Sequence, residues 1–219
     1  MDFDFIKEYI PMYAEAARLT FSIGLLGIMG ASIVGFLCSI VTYVKVPVLR
    51  RLVSIYIELS RNTPLLVQLF FLYFGLPKIG LMMSSRACAI IGLIFLGGSY
   101  MAEAFRSGLE AVETSQIECA ESLGLKKYQV MRYVVFPQSF AMSMPAFCAN
   151  IIFLIKETSV FSAVALADLM YVAKDLIGLY YKTDEALLML VVSYLILLLP
   201  ISILCSFVER RLQYAGFRN

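Results

Sequence analysis

Residues 118–137 read ECAESLGLKKYQVMRYVVFP and lie between two strongly apolar stretches. The segment holds two acids, three bases and one glycine in a chain otherwise short of charge. Its pattern predicts two short helices. Thr114 to Leu123 places Ile117, Ala120 and Leu123 at helical spacing. Gly124 supplies a break, because glycine accepts the backbone angles of a sharp turn. From Lys126 a second amphipathic helix is expected, with Leu125, Tyr128, Met131 and Val135 on one face and Lys126, Gln129 and Arg132 on another. Pro137 is expected to begin the next helix, where its missing N–H costs nothing. The product is a helix–Gly–helix knuckle at about 114–137, with charges and an apolar ridge suited to a groove in a partner.

The solvent follows from composition. Of 219 residues, 61% are hydrophobic and 16% charged, with a mean hydropathy of +0.84. Soluble domains run nearer half apolar and a quarter charged. A bilayer is the expected solvent, and the length suits one membrane domain spanning 1–219. Histidine is absent, which removes His-based metal sites, catalytic triads and imidazole relays. None of the five cysteines lies in a C-x-x-C spacing, so they read as small buried hydrophobes, Cys119 in the knuckle excepted. No phosphate-cradling glycine loop is present, so any ATP would have to be bound by another chain. No nucleic-acid partner is expected. The chain reads as a transport subunit rather than an enzyme.

Uncharged runs locate the spans of an all-α membrane protein. Leu19–Val44, Tyr133–Ile155 and Ala186–Val208 are each long enough to cross. Asn62–Pro77 and Ala87–Ala102 reach spanning length only as parts of helices covering Ser54–Leu76 and Arg86–Leu109, with Glu58, Arg61 and Glu103 inside. Five spans result. In that arrangement nine bases fall on one side, in the stretches holding Lys45, Arg50 and Arg51, then Lys126, Lys127 and Arg132, then Arg210, Arg211 and Arg218. The other side has five, diluted by acids. The positive-inside rule then puts the N-terminus outside and the C-terminus and knuckle in the cytoplasm. Asp168–Glu185 is amphipathic enough for a short helix on the membrane surface, or it is an ordinary loop.

The knuckle resembles the EAA loop of ATP-binding-cassette (ABC) importer permeases. That pattern is E-A-A, three residues, G, nine residues, I, one residue, L-P. Here it reads Glu118-Cys119-Ala120, Gly124, Val134 and Phe136-Pro137, with every spacing met and small or apolar residues at the three departures. ELSRNTPLLVQLFFLYFGLP (58–77), YMAEAFRSGLEAV (100–112) and IKETSV (155–160) are similar to the polar amino acid branch of these permeases. The resemblance implies a five-helix type I importer transmembrane domain in the bacterial inner membrane, paired with a like permease subunit. It implies ATPase subunits, carrying ATP and Mg, docked on the knuckles through Glu118, Cys119, Ala120, Gly124, Leu125, Lys126, Lys127 and Pro137. It also implies an extracytoplasmic binding protein that delivers a polar amino acid such as glutamine, cystine or a basic one, and translocation by alternating access.

Charges at membrane depth need partners or water. Glu58 with Arg61, and Glu103 with Arg106, are spaced to pair on one helix face, or else to line the path. Lys156 and Glu157 are adjacent, about 100° apart around a helix, so they cannot satisfy each other easily. Glu157, Thr158 and Ser159 offer groups for a zwitterion's ammonium, and Lys156 a partner for its carboxylate; helix-packing polar glue is the other reading. Gln68, Phe71, Tyr100 and Asn150 are further cavity candidates. Pro64 and Pro145 are expected to bend their helices. An ATP-independent channel or secondary transporter, and a non-transporting scaffold, are the competing classes. No span carries the repeated pairing of acidic or histidine groups common in proton relays and no inverted repeat is visible, while a scaffold would leave the Lys156-Glu157 pair unexplained.

Overall fold

The computed structural model describes residues 1–214, so Arg218 of the basic tail lies outside the described residues. Every regular element among them is helical. In order they are α1 (Phe3–Val44), α2 (Pro47–Arg61), α3 (Leu65–Phe70), α4 (Ser85–Glu110), α5 (Thr114–Ser122), α6 (Lys127–Val130), α7 (Phe136–Glu157), α8 (Leu169–Tyr180) and α9 (Thr183–Tyr214). Four helical stretches are long and apolar enough to cross a membrane: Phe3–Val44, Ser85–Glu110, Lys127–Val164 and Thr183–Leu212.

α1 begins well before the expected Leu19. Asp2 caps it, with Oδ1 accepting from the Phe5 N–H at 3.1 Å. Lys7, Glu8, Glu15 and Arg18 sit in one uninterrupted helix. At about 1.5 Å per residue its 42 residues exceed the roughly 30 Å of bilayer hydrocarbon. α1 and α7 both pack along α4 and touch each other. The seam is built from small residues. A side-chain carbon on Gly97 would meet Leu154 Cδ1 at 2.7 Å and Ala31 Cβ at 2.8 Å, so only glycine fits there. Ala31, Leu93, Leu154 and Phe161 are fully buried in the central core around it.

The second expected span is not one helix. α2 ends at Arg61, residues 62–64 are irregular, and α3 restarts at Leu65. Pro64 breaks the helix rather than bending it, because a residue before proline avoids the helical region. α3 continues into a π turn at Phe71–Gly75 and a short 3-10 turn at Leu76–Ile79. Pro145, by contrast, lies inside the continuous α7. α2 hangs on α4 by polar rungs: Tyr56 Oη and Ser60 Oγ both donate to the Phe95 carbonyl, at 2.7 and 2.9 Å.

The stretch Asp168–Glu185 does form a helix, α8, but its apolar face is not laid on lipid. Leu169, Val172, Ala173 and Leu176 are buried against α1 and the start of α9. Asp168 caps α8, its Oδ1 accepting from the Tyr171 N–H at 2.8 Å, while Oδ2 is buried without a partner. Burial pushes its carboxyl up to about 7, against the opposing hydrogen bond from Tyr171 and the charge of Lys174.

Two outcomes follow from this packing. Gly97→Val overpacks the α1–α4–α7 seam at a cost of about 1–3 kcal/mol, read as a lower thermal midpoint of the purified protein. The folded chain keeps the Asp168 proton up to about pH 7, whereas an unfolded aspartate releases it near about 4, so stability falls as pH rises through that window. Asp168→Asn, which keeps the cap, raises the midpoint most at about pH 8, less at about pH 5, and leaves it unchanged below about pH 4; thermal unfolding across these pH values measures this.

Candidate functional site

The knuckle is built as its spacing predicts up to Gly124. α5 stops at Ser122, and Gly124 takes φ +81°, the left-handed conformation that favours glycine. The Leu125 N–H donates to the Ala120 carbonyl at 3.2 Å and the Gly124 N–H to Glu121 at 2.9 Å, closing the helix end. The Gln129 side chain then accepts from the Lys126 N–H at 2.8 Å and starts the next turn. Ala120 is buried with Leu109, Val112, Val130 and Val135, and Leu125 packs against that cluster. Glu118, Cys119, Gly124, Lys126, Lys127 and Pro137 are exposed. The expected apolar face packs inward at Leu125, Met131 and Val135, with Val130 joining it, but Tyr128 points out.

Pro137 does not begin a separate helix. α6 passes through a π turn at Met131–Val135 directly into α7, so the helical path runs from Lys127 to Glu157. The wider turn lies just before a residue that has no N–H to give. The second knuckle helix and the span are one rod.

At the break after α2 lies a cavity of about 320 Å³. Arg61, Asn62, Thr63, Pro64, Leu65 and Leu66 form one wall, Leu96 and Tyr100 of α4 another, and Phe153, Glu157 and Val160 the third. Tyr100 and Glu157 therefore line one cavity. Asn150 stands behind it, its Nδ2 donating to the Tyr100 carbonyl at 3.0 Å and tying α7 to α4. Gln68 is buried and staples the break, its Nε2 donating to the carbonyls of Ser60 (3.2 Å) and Thr63 (3.0 Å). Thr158 is buried, and its hydroxyl donates to Ile155 at 2.6 Å. Ser159 is half-buried outside the lining, Lys156 is exposed, and Phe71 is exposed in the π turn after α3. Of the adjacent pair, Glu157 faces the cavity and Lys156 does not.

The base facing this cavity is Arg61. Instead of closing on Glu58 within its own helix, it reaches across to α4. Its Nη1 lies 3.8 Å from Glu103 Oε2, and its guanidinium sits over the Tyr100 ring at 5.1 Å. Glu103 itself is held by Arg106 at 2.6 Å, as the spacing predicts, and Arg106 also grips Glu110 at 2.8 Å. The local sign of Arg61's position is the Asn62-Thr63-Pro64 run that follows it, which ends its helix and turns its side chain into the gap.

A second, more polar cavity of about 780 Å³ opens toward the knuckle end, lined by Lys45, Arg50, Glu58, Arg61, Glu103, Arg106 and Glu110 among others.

With this geometry in hand, the chain can be placed among known proteins. The family described as "binding-protein-dependent transport system inner membrane component" matches residues 27–214. The probable amino-acid permease protein YxeN of Bacillus subtilis (strain 168) is 32% identical over 216 residues, covering 97% of this chain and 96% of that protein. The glutamine transport system permease protein GlnP of Escherichia coli (strain K12) is 29% identical over 217 residues, covering 97% and 99%. A crystal structure of an amino acid ABC transporter with histidines superposes with a TM-score of 0.90 at 30% identity, covering 96% of this chain and 99% of that one. The MetNI methionine ABC transporter in an inward-facing conformation shares the fold, with a TM-score of 0.79 at 19% identity. The matched family, the relatives along nearly the whole length and the type I importer fold agree: this chain belongs to the binding-protein-dependent transport system inner membrane components, multi-pass permeases of the bacterial inner membrane.

Proposed function

We propose that this chain is the permease subunit of an ATP-driven importer of a polar amino acid, glutamine being the first candidate, working by alternating access. The observation that carries the reading is the unbroken helical path from Lys127 in the knuckle to Glu157 at the cavity. A push on the exposed charges of the knuckle reaches the cavity wall along this path, because no loop interrupts it; the π turn and Pro145 are the points at which it can bend.

In this reading the knuckle faces the cytoplasm, in keeping with the basic residues around it, and the N-terminus faces out. A separate ATPase chain holds ATP and Mg and seats Glu118, Cys119, Lys126 and Lys127. A second permease chain, the same or similar, completes the pathway, and an extracytoplasmic binding protein delivers the substrate. Closure of the ATPases draws the knuckles together and opens the cavity outward; hydrolysis reverses it. Glu157 accepts the substrate's ammonium, and Tyr100, held by Asn150, forms the cavity floor. The amino acid names of the relatives that match along nearly the whole chain support the substrate class.

Gly124→Val places a β-branched residue at φ +81°, a strain of roughly 1–2 kcal/mol per residue, and deforms the docking surface. With Glu118→Ala beside it, ATP-dependent uptake in reconstituted vesicles is expected to fall at least about tenfold for each, with weaker ATPase co-purification. Undiminished uptake in both variants contradicts the coupling role. Glu157→Gln is expected to leave assembly and unstimulated ATP hydrolysis intact while raising the amino acid concentration for half-maximal stimulation by about tenfold or more. A wild-type response removes Glu157 from the site.

A further inference from the structure

Arg61 lines both the 320 Å³ cavity at the helix break and the 780 Å³ charged cavity beyond it. Its side chain is the partition between them. The way it is held there is unusual for a structural arginine. Its one ionic partner among the described residues, Glu103, is 3.8 Å away, too far for a hydrogen bond. Both Glu103 oxygens are already engaged by Arg106, through Nε at 3.3 Å and Nη2 at 2.6 Å. The guanidinium sits over the Tyr100 ring, a contact that uses none of its N–H groups. Arg61 thus keeps its hydrogen-bonding fork free, is 43% exposed at its side chain, and is aimed into a cavity whose one acid is Glu157.

One cation and one anion on different walls of one cavity are the complement of a zwitterion. A guanidinium with unused donors is the group best shaped to take a carboxylate through two parallel bonds. Such a bond is stronger than the long pair with Glu103, so a carboxylate can draw Arg61 off it. Glu103 does not become an orphan in the exchange, because Arg106 still holds it.

We propose that Arg61 is both the receptor for the substrate's α-carboxylate and the partition below it, exchanging Glu103 for that carboxylate so that the way to the charged cavity opens only behind a bound amino acid. This rests on the amino acid reading of the cavity and assigns a residue that the family match does not.

The test uses the assembled permease–ATPase complex in lipid nanodiscs, without the binding protein, so that the permease's own recognition is measured. Equilibrium dialysis with each common L-amino acid identifies the one that wild type binds, and the α-amide of that amino acid is the comparison probe. Wild type is expected to prefer the free carboxylate over the amide by at least about tenfold. Arg61→Gln is expected to bind both about equally, and Arg61→Lys to restore part of the preference. Glu103→Gln, which weakens the latch, is expected to raise substrate-free ATP hydrolysis several-fold. A merely structural role would weaken acid and amide alike and leave their ratio at the wild-type value; that ratio in Arg61→Gln overturns the assignment alone. Failure of wild type to bind any amino acid overturns the substrate cavity and this assignment together.

Discussion

In hydrocarbon, every backbone carbonyl released by a helix break must find a donor, and the architecture of this chain turns on how that is met at residues 62–64. On the side turned away from the cavity an unmet group would cost several kcal/mol. Gln68 supplies the donors, reaching back to Ser60 and Thr63 from the first turn after the break. Because the break is sealed from behind, it can stand open in front. The gap is the cavity: six of its lining residues, Arg61 to Leu66, are the broken segment itself. A continuous helix there would fill the space with its own backbone.

The open gap can hold its shape only if the helices around it are fixed. α4 is held against α1 and α7 by residues too small to keep them apart, Gly97 and Ala31 among them, and α2 is tied to α4 by the hydroxyls of Tyr56 and Ser60. Such close approach replaces the hydrophobic drive that is missing between helices in lipid with dispersion contact and a few hydrogen bonds. The charged network is similarly economical. Glu103 neutralises Arg106 and steadies Arg61, joining α2 to α4 at the seam between the two cavities.

Local chemistry was readable from the sequence, and partnership across helices was not. The turn at Gly124 was legible because its cause lies within six residues: a helix end, a glycine and the carbonyl of Ala120. The end of α2 at Thr63-Pro64 carried an equally local sign, but the apolar run after it argued for one continuous span and outweighed the proline. Pro137 misled in the opposite sense, since a proline at a helix start and one after a π turn look alike in sequence. The choice between Lys156 and Glu157 as the cavity-facing residue depends on the rotation of α7 against its neighbours, which no local pattern encodes. Arg61 took its partner from a helix some forty residues away rather than from its own face, where Glu58 satisfies the spacing rule but not the geometry.

The π turn at Met131–Val135 sets the angular phase between the two ends of the rod. A π turn is an α-helix with one residue too many, and each residue advances a helix by about 100°. Losing one residue there would let ordinary helix pass straight through with both ends keeping their bearings, because the extra residue is held by wider winding. Rewinding all five residues as ordinary α-helix would instead swing the exposed knuckle surface about a quarter-turn out of step with Glu157. Torque would still reach the bundle, delivered along the wrong compass bearing.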